Sequence, residues 1–187
     1  MSFAFKKTEI PGLLVVEPHY YADKRGSNMK TFAREAFEAE ALKCDFNETM
    51  IALNKEKNTI RGFHFQRPPY TQVKLCYCLS GAWNNYSIDL RVGSPSYGKV
   101  ICIPMNASER KLLYIPEGIA NAHLVLEENT CVLYQLGSKY MPEYDGGIRW
   151  DSVGVDFSVH DPIITDKDAA LPSLADFESP FIYGENC

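Results

Sequence analysis

Paired cysteines at metal-ligand or redox spacing are absent from this chain: Cys44, Cys76, Cys78, Cys102, Cys131 and Cys187 are scattered, with no CxxC among them. Four of the six lie inside apolar runs, the usage of buried free thiols in a reducing cytosol rather than of a disulfide framework. No run of about 18 apolar residues occurs, and the segment from Met1 to Ile10 has no apolar stretch behind a basic flank. Secretion and a membrane-spanning helix are therefore disfavoured, and a cytoplasmic protein is expected. Basic clusters are also missing. With 19 Lys and Arg against 24 Asp and Glu, the net charge is −5, and there is no RNP-type or zinc-finger pattern, so a nucleic-acid partner is disfavoured. A small anion remains possible as a ligand, because a few local cations decide that and net charge does not.

What is present fits one globular domain over residues 1–187, 45% hydrophobic and 23% charged. The spacing predicts a helix over Thr31–Cys44, with Ala33, Phe37, Ala41 and Cys44 on one face, and a short second helix near Asp166–Leu174. The rest, from Gly12 to Trp150, consists of short aromatic and aliphatic runs separated by Gly, Pro and Asn. Strands are expected near Leu13–Glu17, Thr49–Leu53, Arg61–Gln66, Gln72–Ser80, Ala82–Asp89, Lys99–Ile103, Lys111–Ile115, Ala122–Leu126 and Cys131–Gly137. This is the pattern of an antiparallel sandwich or barrel.

Side chains on a strand alternate between faces, so parity selects the polar residues that can share a cavity. His64 and Gln66 oppose Phe63 and Phe65; Gln72, Lys74, Cys76 and Cys78 oppose Val73, Leu75 and Tyr77; Asn121 and His123 oppose Ala122 and Leu124. A solvated sheet face usually carries Lys, Glu and Thr. A set of His, Gln, Asn and Cys with a single Lys suits the lumen of a barrel that holds a polar ligand.

The segment Arg61-Gly62-Phe63-His64-Phe65-Gln66 resembles the cupin-type dTDP-4-keto-6-deoxyhexose 3,5-epimerases. The similarity runs in order from Ile10 to about Leu174. It takes in Ile10-Pro11-Gly12-Leu13, Asp23-Lys24-Arg25-Gly26, Gln72-Val73-Lys74-Leu75, Asp89-Leu90-Arg91 with Ser94-Pro95-Ser96-Tyr97-Gly98, Tyr114-Ile115-Pro116-Glu117-Gly118, Leu133-Tyr134, Gly147-Ile148-Arg149-Trp150-Asp151 and Lys167-Asp168-Ala169-Ala170. The resemblance implies a mainly β cupin fold, a double-stranded β-helix or jelly roll with a few short helices, forming a homodimer without metal or other cofactor. It implies His64 as base, Asp168 as the acid that orients it, Lys74 beside the developing enolate oxygen and Tyr134 as the acid on the opposite ring face. Arg25 and Arg61 match positions that meet the nucleotide and its phosphates, Asp145 and Lys167 fall at further substrate-contact positions, and Gln72, Asn121 and His123 are further candidate substrate contacts on the polar faces. The substrate implied is a nucleotide-diphosphate sugar for deoxysugar or polysaccharide biosynthesis.

Departures from the family pattern bear on the substrate. The stretch after Arg25-Gly26 reads Ser27-Asn28-Met29-Lys30 where members carry aromatics and a Glu that reads the thymine, and a Gln and Asn near Thr49 to Ile51 are not matched. The histidine that members place after the Pro-Glu-Gly turn is Asn121 here, with His123 two residues on, an arrangement that resembles epimerases of GDP-linked 4-keto-heptoses. Asn forms hydrogen bonds but exchanges no proton near neutral pH, which bears on whether C3, C5 or both centres invert. The nucleotide thus stays open among dTDP, GDP and CDP, and Tyr140 stays open as a substitute acid for Tyr134. The other readings within the fold are a nucleotide-sugar 3,4-ketoisomerase, a non-catalytic sugar-binding cupin and a metal-dependent cupin enzyme. The last would need an unusual ligand set from only four histidines, His19, His64, His123 and His160.

Overall fold

The structure, a computed structural model, describes residues 3–184. Its strands are β1 (Phe3–Lys7), β2 (Leu14–Pro18), β3 (Tyr20–Asp23), β4 (Gly26–Met29), β5 (Glu48–Asn54), β6 (Ile60–Gln66), β7 (Lys74–Ser80), β8 (Ala82–Asp89), β9 (Val100–Asn106), β10 (Leu112–Ile115), β11 (Ile119–Val125), β12 (Thr130–Leu136) and β13 (Asp145–Gly147). Helices α1 (Arg34–Ala39) and α2 (Asp166–Ala169) are short. Two antiparallel sheets, ordered β1-β2-β10-β7-β12-β5 and β13-β6-β11-β8-β9, face each other as the jelly roll of the cupin fold, while β3 and β4 form a separate ribbon.

Three apolar layers result. Between the sheets, Cys76, Cys78, Trp83, Met105, Leu113, Ile115, Val132 and Tyr134 close one end of the barrel. Behind the β6-containing sheet, Phe63, Phe65, Ala120, Ala122 and Leu124 pack against Ile148, Phe157 and Phe181 from the C-terminal segment. Behind the other sheet, Val73, Leu75 and Tyr114 pack against Phe37 and Cys44. Where the outer face is covered, as behind β6, β7 and β11, the apolar half of the strand is satisfied outside, and the polar half is left to face the lumen.

All nine expected strands are present, with ends moved by a few residues; β1, the β3–β4 ribbon and β13 were not expected. The expected helix over Thr31–Cys44 shrinks to Arg34–Ala39. Ala41 takes a left-handed φ of 55°, and the Leu42 and Ala41 amides donate to the Phe37 and Glu38 carbonyls, a Schellman closure with alanine where glycine usually signals the stop. The expected second helix keeps only its first turn, capped by Thr165, whose side chain accepts from the Asp168 amide. Cys44, Cys76, Cys78, Cys102 and Cys131 are free thiols, but only the first three are buried: Cys102 is exposed and Cys131 half-buried, on the outward parity of β9 and β12. Cys187 lies outside the described residues. The Asp89–Tyr97 motif is structural. Buried Asp89 accepts from Arg91, Ser94 and Ser96 at 2.6–2.9 Å, and Arg91 ties the loop to the Pro11 carbonyl.

Candidate active site

The open end of the barrel is a cavity of about 330 Å³ lined from both sheets, by Arg61, His64, Gln66, Asn121 and His123 on one side and Glu48, Met50, Gln72, Lys74, Tyr134 and Leu136 on the other. Strand parity alone would place Arg61 and His64 on opposite faces. They share the cavity because His64 pairs with Asn121 while Arg61 pairs with His123, so the two residues Gly62 and Phe63 stand opposite the single Ala122. The bulge depends on Gly62. Its φ is +107°, and a Cβ there would lie 2.5 Å from the Asn121 carbonyl oxygen and 2.8 Å from Ala122 Cα.

Asp168 holds the bulge from behind. One carboxylate oxygen accepts from the Gly62 amide at 3.1 Å and the other lies 2.8 Å from His64 Nε2. Burial raises its carboxyl pKa, but the hydrogen bond and charge of His64 and the Gly62 N–H together outweigh that and hold Asp168 below the ordinary carboxylate value. A carboxylate on Nε2 fixes the His64 tautomer with its proton there, leaving Nδ1 as the basic nitrogen.

Lys74 is almost wholly buried, donating to Asn121 Oδ1 at 2.7 Å and to the His64 carbonyl at 3.1 Å. Both acceptors are neutral, and burial lowers the ammonium pKa. A desolvated cation with neutral partners stabilises an oxyanion that develops beside it. The Tyr134 hydroxyl is 3.1 Å from His123 Nδ1, and burial raises the phenol pKa well above its ordinary value, which keeps the proton on. Arg61 spends Nε on Asn54 Oδ1 at 2.8 Å, and its other guanidinium nitrogens make no bond among the described residues. At the mouth, Lys167 pairs with Asp145, which also accepts from the Tyr140 hydroxyl at 3.3 Å.

A model of the dTDP-4-dehydrorhamnose 3,5-epimerase family matches residues 7–176. The chain belongs to this family. A family member from Methanothermobacter thermautotrophicus is 36% identical over 174 residues, covering 89% of this chain and 91% of the relative. Among solved structures, the family enzyme from Bacillus anthracis with TDP and pyrophosphate bound superposes with a TM-score of 0.89 at 28% identity, covering 92% of this chain and all of that one. A 3'-monoepimerase from Streptomyces bikiniensis in complex with dTDP-quinovose gives a TM-score of 0.83 at 27% identity, covering 90% of this chain and 86% of that one.

Of the residues expected from the sequence of this family member, His64, Lys74, Tyr134, Arg61, Gln72, Asn121, His123, Asp145 and Lys167 line one cavity, and Asp168 stands directly behind His64. Arg25 does not. It sits in the β3–β4 turn, four-fifths exposed and paired with Asp23 at 2.6 Å, outside the cavity of its own chain. Glu48, Met50 and Leu136 were not anticipated. Met50 and Leu136 are apolar and carry no binding signal of their own, and only the register of β5 on β12, with Met50 opposite Tyr134, brings them to the lumen. Among the described residues no three His, Cys, Asp or Glu side chains gather as metal ligands, and no helix is long and apolar enough to cross a membrane.

Proposed function

We propose that the protein inverts C3, C5 or both in a nucleotide-diphosphate-linked 4-keto-6-deoxy sugar through an enolate. The observation that carries this reading is the convergence of His64, Lys74 and Tyr134 on one cavity, with Asp168 locked behind the histidine. His64 removes the C–H proton beside the C4 ketone, and the electron pair moves onto the carbonyl oxygen, which Lys74 stabilises. Tyr134 delivers a proton from the other face and the ketone re-forms with the centre inverted. Tyr134 is the stronger candidate for this acid than Tyr140, which is half exposed and bonded to Asp145 at the mouth. Arg61 meets the diphosphate, while Gln72, Asn121, Asp145 and Lys167 contact the substrate. The relatives' names and the bound TDP and dTDP-quinovose of the two solved structures support a nucleotide-sugar substrate.

The test is product stereochemistry. The enzyme is equilibrated with dTDP-, GDP- and CDP-linked 4-keto-6-deoxy sugars, the ketone is reduced with borohydride and the released sugars are separated. C3- or C5-inverted sugars from at least one nucleotide are expected. A 3-keto product would instead make the protein a ketoisomerase, and unchanged sugar that nevertheless binds would make it a binding module.

A further inference from the structure

His123 stands at a position where its ring has two different sides. Toward β12, Nδ1 lies 3.1 Å from the Tyr134 hydroxyl, which has no other hydrogen bond among the described residues. Nε2 is buried and has no partner among the described residues; Asn85, opposite His123 in the register of β8, leaves its side-chain Oδ1 unpartnered too. The Trp83 ring packs edge-on against the imidazole, with centroids 5.3 Å apart, and holds it between the two strands.

With the proton on Nε2 a buried N–H would have no acceptor within hydrogen-bond distance, whereas with the proton on Nδ1 only a lone pair is left unpaired, the smaller cost. The surroundings therefore favour the tautomer with the proton on Nδ1. In that tautomer the ring donates to the Tyr134 oxygen, and the phenolic O–H is left to point elsewhere, into the cavity. We infer that His123 is a positioning residue for Tyr134: its Nδ1–H turns the phenolic proton toward the bound sugar and holds the phenolate left after transfer. This rests on the reading of Tyr134 as the acid. In the step, the Tyr134 O–H bond breaks and its electron pair stays on the phenolate oxygen. The enolate carbon uses its π pair to form the new C–H bond, and the C4 carbonyl re-forms. His123 keeps its proton throughout; solvent water returns a proton to the phenolate and accepts the one held by His64. Burial, then the charges of Arg61, His64 and Lys74, hold the His123 pKa down to about 3, so the ring acts as a neutral donor.

The experiment follows deuterium entry and inversion separately at C3 and C5 in heavy water, using a nucleotide 4-keto-6-deoxy sugar. His64 alone can remove a proton and return a deuteron to the same face, giving exchange without inversion, whereas inversion needs Tyr134. His123→Phe should lower inversion about ten-fold or more relative to exchange. His123→Asn, whose side-chain amide can donate near the Nδ1 position, should restore most of the inversion. Exchange and inversion falling in parallel, or His123→Asn no better than His123→Phe, would overturn the inference. A wild-type enzyme silent in exchange with dTDP-, GDP- and CDP-linked sugars alike would overturn the enolate reading itself, an outcome distinguishable because every variant would then be silent alike, whereas inversion retained in Tyr134→Phe would overturn the acid assignment.

Discussion

Burial keeps the imidazole of His123 neutral down to about pH 3, whereas in the unfolded chain it takes up a proton near pH 6.5. Below pH 6.5 the unfolded state binds the proton and the folded state does not, so this group makes stability fall as pH drops from 6.5 toward 3 and level off below that. Between pH 7 and 5 the wild type should lose about 2 kcal/mol more than His123→Phe, at about 1.4 kcal/mol per pH unit. Urea unfolding at the two pH values measures the difference, and equal losses would contradict the burial of a neutral ring. Asp168 works in a lower window: its depressed pKa contributes stability present above the ordinary value of 3.8 and lost as pH falls through the folded one. At this scale much of the site is legible in the sequence, because parity alone sends His64, Lys74, Asn121 and His123 to one lumen. What parity cannot supply is the partner of each. The Tyr134–His123 contact depends on how β12 and β11 sit across the barrel, and Asp168 reaches Gly62 across 106 positions of sequence.

Among the elements, β6 departs most from a regular strand, and the departure makes the site. Its bulge at Gly62 turns Arg61 and His64 to the same side, so one strand supplies both a base and an anion contact. Gly62→Ala should cost more than about 2 kcal/mol, since it combines a positive φ with a clash against the backbone of β11. Gly154→Ala, also at positive φ but with open space around it, should cost about 1 kcal/mol. Chemical denaturation of the two variants decides this, and equal costs would mean that the close approach to β11 contributes nothing. Strands were legible because alternation is a strong local signal. The ends of α1 were not, because the left-handed residue that stops it is Ala41, which carries no glycine signal. The three residues of β13 were missed for another reason: they become a strand only by pairing with β6.

On the scale of the whole molecule, an acidic protein gathers Arg61, Lys74 and Lys167 at one open end beside Glu48 and Asp145, and the guanidinium of Arg61 gives a diphosphate a local cationic contact despite the net charge of −5. We propose that the working unit is a homodimer. Both strands of the β3–β4 ribbon are largely exposed, and the edge strand β5 presents Ile51 and Leu53 to solvent, at 62% and 56% exposure. A second copy would cover these surfaces, and the ribbon offers Arg25 a route to a cavity other than its own chain's. Sedimentation should give twice the 21.1 kDa chain mass, with Ile51→Asp combined with Leu53→Asp shifting it to the monomer; a wild-type monomer at micromolar concentration would contradict the proposal. The central claim, enolate chemistry begun by His64, is tested most directly by proton NMR of the 4-keto sugar in heavy water with wild type and His64→Asn side by side. Loss of the C3 or C5 signal with the wild type and its persistence with His64→Asn is the predicted result. Signals that vanish equally fast with both proteins would contradict the account.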